Sequence, residues 1–153
     1  MGFADGGIMA VDVQVETIIR RPLADVFAFA SDPSNAPKWY VNIKEATWKT
    51  APPIRVGSQI AFVAHFLGQK LVYTYEIKTH LPGEKLVMRT AEGPFPMETT
   101  YAFSVAGDGT RMALRNQGQP SGFARITGPL MAMAMRRAMT KDLAKLKRLL
   151  ETP

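Results

Sequence analysis

The chain has 153 residues, 46% apolar and 21% charged, with a net charge of +6, the composition of one globular domain rather than of a disordered or fibrous chain. It has no cysteine, which excludes disulfides, thiolate metal sites and a cysteine nucleophile, and fits a cytoplasmic setting. His65 and His80 are the two histidines and lack metal-ligand spacing, so neither a metal nor a cofactor is expected.

Residues 1–10 open on the Gly-rich run MGFADGG and are expected to form a mobile tail ahead of a single domain over 11–153. They lack the basic start and apolar run of a signal peptide. No stretch reaches the roughly 18 consecutive apolar residues of an integral membrane segment. Val11 to Ile19 then alternates, with Val11, Val13, Val15, Thr17 and Ile19 on one side and Asp12, Gln14 and Glu16 on the other. That is a half-buried strand. Pro22 suits a helix first turn, and Leu23, Val26, Phe27 and Ala30 follow at helical spacing. Ser31-Asp32-Pro33 stops this helix, and a second short one is expected over Pro33 to Trp39. Asp25 and Asp32 fit capping and turn chemistry.

A run of strands follows. Ile43 to Thr50 ends at Ala51-Pro52-Pro53, and Ser58 to Leu67 starts after Gly57. Gly68-Gln69 turns the chain into Lys70 to His80, and Leu81-Pro82-Gly83-Glu84 into Lys85 to Ala91. The loop Gly93-Pro94-Phe95-Pro96 precedes Met97 to Val105, and Gly107-Asp108-Gly109 precedes Thr110 to Gln117.

The last stretch, Gly122 to Leu150, reads as one long helix, with Ser121 a candidate N-cap. Pro129 lacks an amide hydrogen and would clash one turn back. Phe123 and Ile126 already show helical spacing, so a kink at Pro129 is expected rather than a start at Gly128. From Lys141 onward Leu143, Leu146 and Leu150 make an ordinary amphipathic helix. Between Gly128 and Met139 the only charges are Arg136 and Arg137, and Met131, Met133, Met135 and Met139 occupy several faces. A helix apolar nearly all round must be covered on several sides, and Met fills irregular space. It is either a well-covered core helix or the roof of an apolar cavity.

The order implies an α+β fold: a curved seven-stranded antiparallel sheet, two short helices after the first strand, and one long C-terminal helix on the concave face. Only that helix is large enough to cover such a sheet.

The stretches IIRRPLADVFAFASDPSNAPKW, VGSQIAF, LPGEKLVMRTAEGPFPMETTYAFSVAGDGTRMAL and GFARITGPLMAMAMRRAMTKDLAKLKRLLE resemble the START-related SRPBCC superfamily, closest to its polyketide cyclase/dehydrase-like branch. The resemblance runs over about Val11 to Glu151. It implies the helix-grip fold and a hydrophobic cavity between sheet and helix. The superfamily spans lipid carriers, hormone and allergen-type binders, polyketide cyclases, oxygenase domains and co-chaperone activators. Fold alone does not choose among them.

Within that fold, alternation places Phe62, Tyr73, Tyr75, Met88, Tyr101, Phe103, Met112, Leu114 and Asn116 toward the cavity. The helix adds Leu130, Met131, Ala134, Met135 and Ala138, with Trp39 and Tyr40 near the mouth. Small-molecule pockets are mostly apolar with a few placed polar groups; here those are Tyr73, Tyr75, Tyr101 and Asn116. The plainer reading makes the tyrosines core residues with their hydroxyls at the rim. His65 falls opposite Phe62 and Phe66 by parity, on the outer face, and a one-residue slip would reverse that. Glu76 and Glu98 alternate outward; Arg89 does too, while an inward Arg89 would anchor an anion. The outer run Ala61, Val63, His65 and Leu67 marks either a homodimer contact or a short central strand. Arg136 and Arg137 are either a solvated patch or an attractor for an anionic head group or membrane surface.

Three functions follow. The first is binding of a hydrophobic or aromatic small molecule. The second is a cyclase- or dehydratase-like enzyme, which needs a group that moves protons beside the substrate. No catalytic pair at telling spacing identifies one, but a carboxylate facing the cavity, or His65, with shifted titration would favour it. The third is a membrane-surface or protein-interaction module built on the basic, Met-rich helix. Aromatic and basic residues do not interleave, so nucleic acid is not an expected partner.

Overall fold

Strand β1 runs over Val11–Ile19, buried mainly at alternate positions, as a strand packed on one face must be. This computed structural model describes residues 11–119 and 128–153. Helix α1, Leu23–Ala30, follows and buries Val26, Phe27 and Ala30. The Asp32 carboxylate then accepts the Ser34 amide at 2.9 Å and opens a 3-10 turn, Pro33–Asn35, that runs into α2, Ala36–Trp39. The expected second helix is therefore two short turns. Pro37, with no amide hydrogen to bond back, sits where the helix restarts.

Strands β2 (Ile43–Trp48), β3 (Gln59–Phe66), β4 (Gln69–Leu81), β5 (Lys85–Glu92), β6 (Met97–Ala106) and β7 (Gly109–Gly118) follow. They lie within two residues of the expected bounds. The sheet has seven strands in the order β1-β7-β6-β5-β4-β3-β2, every pair antiparallel. Hairpins join β3 to β4, β4 to β5, β5 to β6 and β6 to β7. β1 returns to pair with β7, so α1 and α2 carry the chain from one sheet edge to the other.

Helix α3, Gly128–Glu151, lies on the sheet with Met131, Met135, Met139, Asp142, Leu143, Leu146 and Leu150 buried. The expected start at Gly122, the Ser121 cap and the run into Pro129 fall outside the described residues. Backbone approach is close along β1 and α2. β1 is an edge strand with free carbonyls, a template for unwanted pairing. Two cations of α3 occupy them: Arg136 donates to the Gln14 carbonyl at 3.0 Å and Lys147 to that of Ile18 at 2.6 Å. Arg21 in turn donates to the Leu150 carbonyl at 2.6 Å, a cation at a helix C-terminus where the dipole favours one.

The outer face of the sheet carries cross-strand ion pairs. Arg115 bonds Asp12 and holds that carboxyl below the usual carboxylate range; Arg111 pairs with Glu16. Arg89 pairs with Glu98 at 2.6 Å on this face, so it is no anion anchor inside. His65 is exposed, as its parity implies. His80 departs from strict alternation. The register shifts between Ile77 and Thr79, and such a bulge reverses which side follows. His80 is thereby opposite Leu86, with its ring 5.9 Å from that of Phe27.

The β6–β7 hairpin meets the end of β1 at Gly109, where an added Cβ would lie 2.6 Å from the Ile19 carbonyl oxygen. Gly109→Ala is expected to destabilise the fold by about 1–3 kcal/mol through this overpacking. Urea unfolding of the variant beside the parent measures it; equal midpoints would contradict the close approach.

Candidate functional site

α3 stands off the central strands, and the space between is bridged by side chains. A cavity of about 150 Å³ remains there, near the N-terminal half of the helix. Its floor is the concave face of β3 to β7, including Phe62, Tyr73, Tyr75, Met88, Tyr101 and Asn116. Its roof is Met131, Met135, Ala138, Met139 and Asp142 of α3. Tyr40 closes one side and Pro94 and Phe95 of the β5–β6 loop another.

Ten of the residues singled out by sequence therefore lie together around one space: Tyr40, Phe62, Tyr73, Tyr75, Met88, Tyr101, Asn116, Met131, Met135 and Ala138. Six do not. Trp39 is fully buried, with its ring 4.2 Å from that of Tyr40 and 5.7 Å from that of Tyr101. It supports the wall from behind instead of flanking a mouth. Phe103 meets Phe27 of α1 edge-on, centroids 5.0 Å apart, and belongs, with Met112 and Leu114, to solid core. Leu130 is 56% exposed, and Ala134 is only half-buried and off the cavity. Each helical residue turns about 100° from the last, so the stripe through Met131, Met135 and Asp142 leaves Leu130 and Ala134 beside it. The cavity is smaller than a full gap between sheet and helix because α1, α2 and Leu143, Leu146 and Leu150 fill the other end.

The polar groups are few and mostly engaged with one another. The Tyr40 and Tyr101 hydroxyls share a hydrogen bond of 2.7 Å. The Tyr75 and Thr99 hydroxyls share one of 2.9 Å, and Thr99 donates to Asn116 Oδ1 at 2.6 Å. Tyr73 makes no hydrogen bond among the described residues. Burial raises the tyrosines' pKa values, that of Tyr75 to about 12. All four stay neutral phenols at ordinary pH.

Asp142 is the residue that the sequence reading missed. It is 4% exposed, on the cavity wall, and accepts the Val41 amide through Oδ1 at 2.8 Å. Its Oδ2 has no hydrogen-bond partner among the described residues. Burial pushes its pKa up to about 7, against the opposing pull of the Val41 hydrogen bond and of Lys145. The signal was present: Asp142 stands three residues after Met139 and four before Leu146, a lone carboxylate on the apolar stripe. Asn42, Ile43, Ala64, Phe66, Leu71, Thr90, Met97 and Thr99 also line the cavity.

Among the described residues no group of three or more metal-ligating side chains occurs, and no helix is long and apolar enough to cross a membrane. A comparison with curated proteins finds no significant match. Solved structures share the fold. TTHA0849 of Thermus thermophilus is 20% identical, covering 91% of this chain and 96% of its own, with a TM-score of 0.76. A START superfamily protein of Mycobacterium smegmatis is 16% identical over 93% and 97%, also at 0.76. The di-domain ARO/CYC StfQ of the steffimycin biosynthetic pathway is 14% identical and covers 93% of this chain and 51% of its own, at 0.72. A family model described as polyketide cyclase / dehydrase and lipid transport matches residues 10–151. With a long helix gripped by a seven-stranded sheet over an apolar cavity, this chain belongs to that family, within the START-like SRPBCC superfamily.

Proposed function

We propose that the protein binds a small hydrophobic or aromatic molecule in the cavity under α3. The observation that carries this reading is the wall itself: aromatic rings and methionines around a space that the core's own side chains leave empty. Interiors normally close-pack, leaving few voids larger than a water. An apolar cavity of about 150 Å³ is of the size that admits a benzene ring. The roof methionines Met131, Met135 and Met139 adapt to a guest's shape at little cost.

Native mass spectrometry of freshly purified protein tests this by showing whether a small molecule travels with the chain. Met135→Trp is the matching variant, since Met135 is buried on the roof and an indole there fills the space. It is expected to weaken uptake of phenol, measured by calorimetry, by about tenfold or more, while the fold holds to within about 1.5 kcal/mol. Undiminished uptake by a folded variant would remove the cavity from consideration.

A second reading is favoured by Asp142. A carboxyl that titrates near neutrality beside a bound molecule is what general acid–base catalysis requires, and a cyclase- or dehydratase-like reaction would use it. The likeness to StfQ extends to the fold alone.

A further inference from the structure

Among the described residues of the cavity wall, Asp142 is the only one that carries a formal charge. Among these described residues no lysine, arginine or histidine joins it. Its Oδ1 is committed to the Val41 amide, and Oδ2 is left with nothing to accept from among these residues. Tyr40, Tyr73 and Tyr101 lie close enough to feel its charge. Tyr40 and Tyr101 have spent a hydroxyl contact on each other. The π-faces of aromatic rings attract cations, and so does a carboxylate.

The wall thus discriminates by charge. A fatty-acid carboxylate or a phosphate would lie near Asp142 with no cation among the described wall residues to meet it, and an unpaired buried charge is strongly disfavoured. A purely apolar guest would leave Oδ2 unpaired. A guest with a positively charged donor completes the site. The cavity volume limits it to about one ring and a short arm.

We propose that the ligand class is a small aromatic amine, bound as its cation, with the ammonium on Asp142 Oδ2 and the ring among Tyr40, Tyr73 and Tyr101. This rests on the cavity-binding reading above and gives that cavity its substrate class. Lys145, further along α3, also acts on Asp142. The titratable groups near Asp142 from the end of α2, from β4 and from β6 are Tyr40, Tyr73 and Tyr101, which remain neutral. Asp142 therefore governs the pH response.

The test is calorimetry of the full chain with three probes of one shape: 2-phenylethylamine, 2-phenylethanol and phenylacetate. At pH 8 the amine should bind about tenfold or more tightly than the alcohol, and phenylacetate least. The carboxyl of Asp142, with its pKa near 7, is mostly protonated at pH 6 and mostly ionised at pH 8. Amine affinity should accordingly rise about tenfold between these values, in proportion to the competent fraction, with the alcohol unchanged. Asp142→Asn, which keeps an acceptor for Val41, should bring the amine-to-alcohol ratio to about one and flatten the pH response. An alcohol as tight as the amine at pH 8, phenylacetate binding best, or an unaltered preference in Asp142→Asn would each overturn the amine assignment. If the alcohol binds and the amine does not, only this assignment falls. If none of the three binds, the cavity-binding reading falls with it.

Discussion

Asp142→Asn is expected to make the protein more stable at pH 8, by about 4 kcal/mol, with the gain shrinking to near zero by about pH 4. The reason is the burial of the carboxyl, which raises its pKa from 3.8 to about 7. Between those values the folded state holds a proton that the unfolded state has released. Stability therefore falls as pH rises from about 4 to about 7 and levels off above, where the folded protein carries a buried charge. Asparagine has nothing to ionise, and its side-chain oxygen still accepts the Val41 amide. For a domain of this size the gain corresponds to a rise in melting temperature of about 10 °C. Urea unfolding of both proteins from pH 4 to pH 8 reads the difference directly, and a constant offset across that range would refute it. A stabilising substitution at a wall residue is also what a functional carboxyl implies, because sites kept for function commonly cost stability.

Trp39→Ala is expected to have the largest opposite effect, a loss of about 3–5 kcal/mol. The indole is fully buried beneath the Tyr40–Tyr101 pair, so its removal opens a void that close-packed neighbours fill only in part. Its Nε1 hydrogen has no hydrogen-bond partner among the described residues, and an unpaired buried donor works against the fold by about 1–3 kcal/mol. Trp39→Phe sheds that donor while keeping a ring in place, so it should lose less than half of what the alanine variant loses. Chemical denaturation of the three proteins separates the terms. An alanine variant no worse than the phenylalanine one would show that packing is not what Trp39 supplies. Because Tyr40 rests on this ring, the alanine variant should also loosen the cavity wall, seen as weaker probe uptake at temperatures where it remains folded.

The sheet was legible because its strands are bounded by unambiguous punctuation. Gly57, Gly68-Gln69, Pro82-Gly83 and Gly107-Asp108-Gly109 divide the chain at turns, and period-two alternation supplies the buried face between them. Alternation places Tyr73, Tyr75 and Tyr101 on the cavity side, where they stand; it could not foresee the bulge before His80, which has no sequence signature of its own. The helix stripe was legible in Met131, Met135 and Met139. It was drawn too wide at Leu130 and Ala134, because the Met-rich turns are apolar on sides that nothing covers: Met133 is 59% exposed.

Asp142 was hidden for a different reason. Read along the helix it is one acidic residue between Lys141 and Lys145, and a charged residue in a basic amphipathic helix is ordinarily solvated. Only the approach of Val41 from the loop after α2 makes it a buried acceptor, and that contact joins residues 101 positions apart.

Residue order by itself determined the strand count, the antiparallel pairing and the need for one long helix to cover the concave face, since these follow from local periodicity and from the demand that apolar faces be buried. The tertiary structure alone decided which part of the space beneath α3 stays empty and which carboxyl borders it. Those depend on how side chains from α1, α2 and both halves of α3 meet across the sheet, and packing of that kind has no period along the chain.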